Sequence, residues 1–135
     1  MKVGIVGSRK YTNKNNIRDF VFRLKEELGD DVEIVSGGCK YGADKYAKKY
    51  ALEFDMKYVE FPASHESYNI HCILPKYKYG KPYATWHYFE RNKEIAKYSD
   101  KIIAFIPDGI KSNGTMNTIE HAQKMKKKGD YFELV

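Results

Sequence analysis

The chain has 135 residues, enough for one domain with little room for a second, and 42% of them are hydrophobic, which makes a buried core attainable and excludes a disordered chain. Its apolar runs are strand-sized, far short of the roughly 20 residues of a membrane-spanning helix. The net charge of +6 comes from lysines spread along the chain, a balance that suits anionic ligands from nucleotides to nucleic acids but equally describes a soluble lysine-rich surface.

In chain order, Lys2–Val6 is a short β-rich run that stops at Gly7, and it reads as a first strand rather than a signal peptide. Ile17, Phe20, Val21, Leu24 and Leu28 then recur at helical spacing from Asn16 onward, with Gly29 as the stop. Val32–Val35 is a second strand, ending at Ser36-Gly37-Gly38. Ala43, Tyr46, Ala47, Tyr50, Ala51 and Phe54 mark one face of a second helix, and Lys57–Phe61 is a third strand. Residues 63–85 carry Pro75, Gly80, Pro82 and several tyrosines without a clear period, so they are expected to form an aromatic-rich insertion or lid. A helix over Trp86–Tyr98, a strongly apolar strand over Lys101–Ile106, a helix over Gly114–Lys127 and a final strand over Tyr131–Val135 complete the pattern. Strands alternating with helices predict a single α/β domain over residues 1–135, Rossmann-like and doubly wound, with a mostly parallel sheet of about five strands flanked by helices.

In such a sheet, ligands bind where strands end and helices begin. Three turns stand there. In Gly7-Ser8-Arg9, glycine allows close backbone approach, Ser8 offers a hydroxyl and Arg9 a phosphate-binding fork. An ordinary turn with a surface arginine would look the same. Ser36-Gly37-Gly38-Cys39-Lys40-Tyr41-Gly42-Ala43-Asp44 places three glycines between a strand and a helix, as in a backbone nest for an anion, although the spacing matches neither the dinucleotide fingerprint nor a P-loop. Ser112-Asn113-Gly114-Thr115 heads the last helix, where simple capping is the alternative. Arg91-Asn92, in the helix before the fourth strand, adds a further candidate; pairing of Arg91 with Glu94 or Asp100 would make it an exposed structural residue.

Taken together, Gly-Ser-Arg at 7–9, Ser-Gly-Gly at 36–38 with Gly-Ala-Asp at 42–44, Arg-Asn at 91–92 before Ser-Asp-Lys-Ile-Ile-Ala-Phe, and Ser-Asn-Gly-Thr at 112–115 resemble the SLOG superfamily, within it the small YspA-like proteins. The resemblance runs from Lys2 to about Lys124 and leaves out residues 63–85. It implies a Rossmann-like, commonly dimeric protein that binds nucleotides or nucleotide-derived ligands, related to the LOG phosphoribohydrolases and to the DNA-binding DprA proteins. It also implies that Gly37, Gly38, Arg91, Gly114 and Thr115 match ligand-binding motifs, with Arg91 at the place of a functional arginine of the hydrolases. The catalytic glutamate of those hydrolases falls on Thr118; Glu120, two residues on, is rotated by roughly 200° around a helix.

The expected function is therefore binding of a phosphate-bearing, nucleotide-derived small molecule, of ADP-ribose or cyclic-nucleotide type, by Gly7, Ser8, Arg9, Ser36, Gly37, Gly38, Asp44, Arg91, Asn92, Ser112, Gly114 and Thr115, in a homodimer or higher homo-oligomer. If the chain is an enzyme, it cleaves an N-glycosidic bond with Arg9, Arg91 and a carboxylate such as Asp44 or Glu120. Single-stranded nucleic acid is the alternative ligand, and Lys124, Lys126, Lys127 and Lys128 a candidate footprint for it. Aromatics between Tyr68 and Tyr88 would stack on a base or pack against a second subunit. His65, His71, Cys72 and His87 match no common zinc spacing, and neither metal nor cofactor is expected. Two cysteines are too few for a disulfide framework, which points to the cytoplasm.

Overall fold

The computed structural model describes residues 1–107, 109, 112–125 and the backbone of 132–134. Five strands alternate with four helices: β1 (Lys2–Gly7), α1 (Lys14–Leu28), β2 (Glu33–Ser36), α2 (Gly42–Glu53), β3 (Lys57–Glu60), α3 (Trp86–Tyr98), β4 (Lys101–Phe105), α4 (Asn113–Lys124) and β5 (Phe132–Leu134). All strand pairs are parallel, in the order β3-β2-β1-β4-β5, as the alternation predicts. The chain winds outward from β1 through β2 to β3, then returns to the other side of β1. The switch point therefore lies between β1 and β4, where Gly7 pairs with Phe105 at the carboxyl ends.

Alternation along each strand divides the core into two layers. Val3, Ile5, Ile34, Ile103 and Phe105 pack against Ile17, Val21, Ala43, Ala47 and Ala51 of α1 and α2. The residues between them in the strands, Val6, Val35, Val59, Ile102 and Ala104, face Ile95, Ala96, Ile119 and Ala122 of α3 and α4. This is why the strands read as near-continuous apolar runs: both faces are covered.

The boundaries move by one to three residues. Helix α1 starts at Lys14 rather than Asn16, because the Asn13 side chain accepts from the Asn16 amide at 3.2 Å and caps the helix earlier. Strand β3 ends at Glu60, where the following segment folds back: the Glu60 amide donates to His71 O at 3.0 Å and Glu60 bridges Cys72. Between β3 and α3 the chain forms one short 3₁₀ turn, Lys76–Lys78, and closes on itself through Gly80 N to Glu66 O and Lys81 N to Ser64 O, each 3.0 Å. The expected extension of α4 to Lys127, the turn residue Asp108 and the lysines 126–128 lie outside the described residues. No described helix is long and apolar enough to cross a membrane.

Candidate functional site

The crevice at the switch point holds a cavity of about 430 Å³. Gly7, Ser8 and Arg9 enter it from the end of β1, Asp44 from α2, Arg91 and Asn92 from α3, and Ser112, Gly114 and Thr115 from the head of α4. A second cavity of about 430 Å³ adjoins it and is lined by Gly37 and Gly38 of the β2–α2 turn. Of the residues expected to bind a ligand, only Ser36 lines neither; it is fully buried beneath the turn.

Two arginines from distant parts of the chain meet at Tyr88. The Arg9 guanidinium lies 5.3 Å and that of Arg91 5.7 Å from the ring centroid. The Tyr88 hydroxyl is 3.2 Å from His65 Nε2, which ties the ring to the 62–85 segment. A hydrogen bond with Tyr88 raises the Arg9 pKa above its ordinary value. Arg91 does not pair with Glu94 or Asp100. Its Nη1 donates to Gly37 O at 2.8 Å and to Phe61 O at 3.4 Å, and its Nε to Asn92 Oδ1 at 3.2 Å. Asn92 in turn donates to Gly114 O at 3.2 Å and Asn117 Oδ1 at 3.3 Å, so the Arg91-Asn92 pair stitches α3 to the β2–α2 turn on one side and to α4 on the other. Among the described residues no carboxylate lies within ion-pair distance of either arginine.

The glycine-rich β2–α2 turn differs from the expected open nest. The Gly38 amide donates to Ser36 Oγ and the Cys39 amide to Asp44 Oδ2, both at 3.2 Å. The Ala43 amide, in the first turn of α2, donates to Ser8 O at 3.2 Å. These donors serve the fold, so the turn cannot offer them to an anion without rearrangement. Its glycines answer to the protein itself. At Gly42, φ is +70° and a Cβ would lie 2.2 Å from the Ser8 carbonyl oxygen, while at Gly37 it would collide with the Arg91 guanidinium and at Gly38 with the Glu60 carboxyl. Ser8 is likewise internal: its Oγ accepts from the Lys10 amide at 3.0 Å. The head of α4 is the open counterpart. No side chain among the described residues caps its first turn, and the Ser112 and Thr115 hydroxyls bond to each other at 2.6 Å on the cavity wall.

The carboxylates divide by environment. Burial raises the pKa of Asp44 above its ordinary value, with the nearby Arg91 charge partly offsetting it. Glu60, 2% exposed, goes the other way. Burial pushes it up, but donors outweigh burial: Asn69 Nδ2, the Tyr58 hydroxyl at 2.8 Å and the Lys48 ammonium at 3.1 Å. The same contact pushes the Tyr58 phenol far above its usual range, burial being the first cause and the Glu60 charge the second. Glu120 is exposed and lines neither cavity, whereas the buried Thr118 faces the first one and donates to Gly114 O at 3.2 Å. The helical rotation between positions 118 and 120 thus places Glu120 on the exposed side of α4, away from both cavities.

Glu60, Lys48 and Asn69 are parts of the site that sequence reasoning did not single out, and Tyr88, expected only as one of several base-stacking aromatics, is the ring at which the two arginines meet. The signal for Glu60 was a charge closing an apolar parallel strand, Tyr58-Val59-Glu60-Phe61, where both faces should be dry. His65 packs within an aromatic cluster of Tyr83, His87 and Tyr88, and His87 Nε2 is 3.2 Å from Pro82 O.

None of the curated proteins matches this chain. Among the solved structures that share its fold are two that cover nearly all of this chain. DNA processing protein A from Helicobacter pylori, described for its single-stranded DNA binding mode, superposes with a TM-score of 0.70 at 22% identity over 99% of this chain; the match spans 64% of that protein's length. The molybdenum cofactor binding protein from Rippkaea orientalis superposes with a TM-score of 0.71 at 18% identity, covering 98% of this chain and 74% of the other. The family model for DNA recombination-mediator protein A matches residues 1–129, so with its parallel sheet and switch-point crevice the chain belongs to the DNA recombination-mediator protein A family within the SLOG superfamily.

Proposed function

We propose that this chain binds a phosphate-bearing, nucleotide-derived small molecule in the switch-point crevice, with phosphate oxygens on Arg9, Arg91 and the first-turn amides of α4. The observation that carries this reading is the pair of guanidiniums that meet at the Tyr88 ring, with no carboxylate at ion-pair distance among the described residues. Two such cations in a crevice favour a bound anion, and a helix start that no side chain caps among the described residues adds to the effect. Holding rather than cutting the ligand is favoured because the cavity-facing position of α4 carries Thr118 and the nearest carboxylate on that helix, Glu120, faces solvent. The role is sensing or sequestration, in the cytoplasm, where Cys39 and Cys72 stay as thiols.

Calorimetric titration with mononucleotides, ADP-ribose derivatives and cyclic nucleotides tests this. At least one compound is expected to bind and to be recovered intact by chromatography. Arg9→Ala, at an exposed position, is expected to weaken it about tenfold or more. Silence across the panel would overturn the reading, and a released base would convert it into hydrolysis. Membership of a DNA recombination-mediator family favours a second reading, single-stranded DNA in the same crevice. That ligand predicts a steep fall in affinity with salt, because each neutralised phosphate releases counterions.

A further inference from the structure

The crevice has two chambers, and the phosphate reading above occupies only the wall between them. Each chamber measures about 430 Å³, within the roughly 300–1,000 Å³ range of small-ligand sites. Arg9, Cys39, Tyr41, Tyr88 and Arg91 line both. Arg9 and Arg91 therefore stand on the wall that the two cavities share.

The chambers differ chemically. The first is bounded by Val6, Phe89 and Ile95 together with the hydroxyls of Thr115 and Thr118. The second ends on Glu60 with Lys48 and Asn69 around it, and its outer side carries Ser67 and the partly exposed ring of Tyr68. A mononucleotide with its phosphate at the arginines would fill one chamber and leave the other to water.

We infer that the ligand has two nucleoside-sized units joined by a pyrophosphate, the pyrophosphate lying against Arg9 and Arg91 and one unit entering each chamber. This rests on the phosphate reading of the arginine pair and adds the class of ligand. Two cations, each 5–6 Å from the same ring, match the two charges of a pyrophosphate better than the single charge of one diester. The flanking walls suit unlike partners. The first chamber offers apolar surface to a base, and the second presents Ser67 and the partly exposed Lys48 ammonium, with Glu60 and Asn69 paired to each other, to a unit rich in hydrogen-bonding groups. Two units on one linker also bind with an advantage that neither has alone.

The test is calorimetry on the full chain at physiological salt, comparing diadenosine and diguanosine pyrophosphate with AMP and GMP. One of the two-unit compounds is expected to bind at least about tenfold more tightly than its mononucleotide. Ser67→Trp, at an exposed loop position on the wall of the second chamber, is expected to cut that advantage to less than about threefold. Tyr68→Ala, which removes an exposed ring that rests on Tyr79, is expected to reduce it about threefold. Mononucleotides that bind as tightly as the two-unit compounds, or an advantage that survives Ser67→Trp, would overturn the two-chamber inference and leave the phosphate reading standing. Failure of every compound would overturn both. A short single-stranded DNA that binds more tightly than either pyrophosphate, with a steep salt dependence, would assign the chambers to successive nucleotides of a strand and overturn the pyrophosphate.

Discussion

The turn after β2 and the head of α4 both carry glycine at the carboxyl edge of the same sheet, yet their amides do different things. In the first, Gly38, Cys39 and Ala43 donate to Ser36, Asp44 and Ser8, and the glycines make room for Arg91, Glu60 and the Ser8 carbonyl. In the second, no described side chain caps the helix and a Cβ at Gly114 would meet no atom of the described residues within 4 Å. Glycine richness thus has two physical meanings here. One turn is tight because the protein packs into it; the other is open toward the cavity.

Substitutions can break this contrast, the largest effect being expected at the packed turn. Gly42→Ala combines a left-handed φ of +70° with a Cβ 2.2 Å from the Ser8 carbonyl oxygen. Strain of about 1–3 kcal/mol for the backbone alone, with the collision added, should lower stability in urea unfolding by about 3 kcal/mol or more. A wild-type midpoint in Gly42→Ala would show that the turn relaxes freely.

Glu60→Gln tests the other support of that turn and is expected to cost about 1–3 kcal/mol, because the donors gathered around the carboxylate lose its charge. The effect has a pH signature. The Glu60 pKa in the folded chain is below its ordinary value of 4.5, so its stabilisation is present above that pH and is lost as pH falls through the folded value. The gap between wild type and Glu60→Gln should therefore narrow on acidification below pH 4.5, as read from denaturant midpoints at several pH values. A gap that widens would contradict the assignment of an ionised Glu60.

Gly114→Ala should do least. With open space around the position, alanine should leave stability unchanged or raise it by up to about 1 kcal/mol through helix propensity. Destabilisation in the same unfolding assay would mean that the head of α4 is packed like the β2–α2 turn.

Much of the fold was legible because the strands and helices announce themselves by period, and the parallel order follows from their alternation. The edge of the sheet at which Arg9, Asp44, Arg91 and Thr115 would meet was also legible, since topology brings successive strand ends together. Three things were not. The engagement of the Gly38 and Cys39 amides depends on the directions in which Ser36 and Asp44 point, which a one-dimensional pattern does not contain. Glu60 reads as a polar strand end, and only the meeting of α2, β3 and the following segment supplies Lys48, Tyr58 and Asn69. Tyr88 reads as one more ring in an aromatic stretch, although two arginines that lie 82 positions apart in the chain both meet it.

The two carbonyls that hold Arg91 also bear on how quickly and tightly the crevice can bind. A long side chain gives up about 1.5–2 kcal/mol of rotamer entropy when it is fixed. Arg91 incurs this cost on folding, since Gly37 O and Phe61 O define the position of its guanidinium. A ligand then meets a preorganised cation and does not have to order one. Arg9, exposed and steadied chiefly by Tyr88, is the partner that still has freedom to lose. Recognition would then be sequential, with a fixed anchor engaging first and a mobile arm closing on what the anchor has caught.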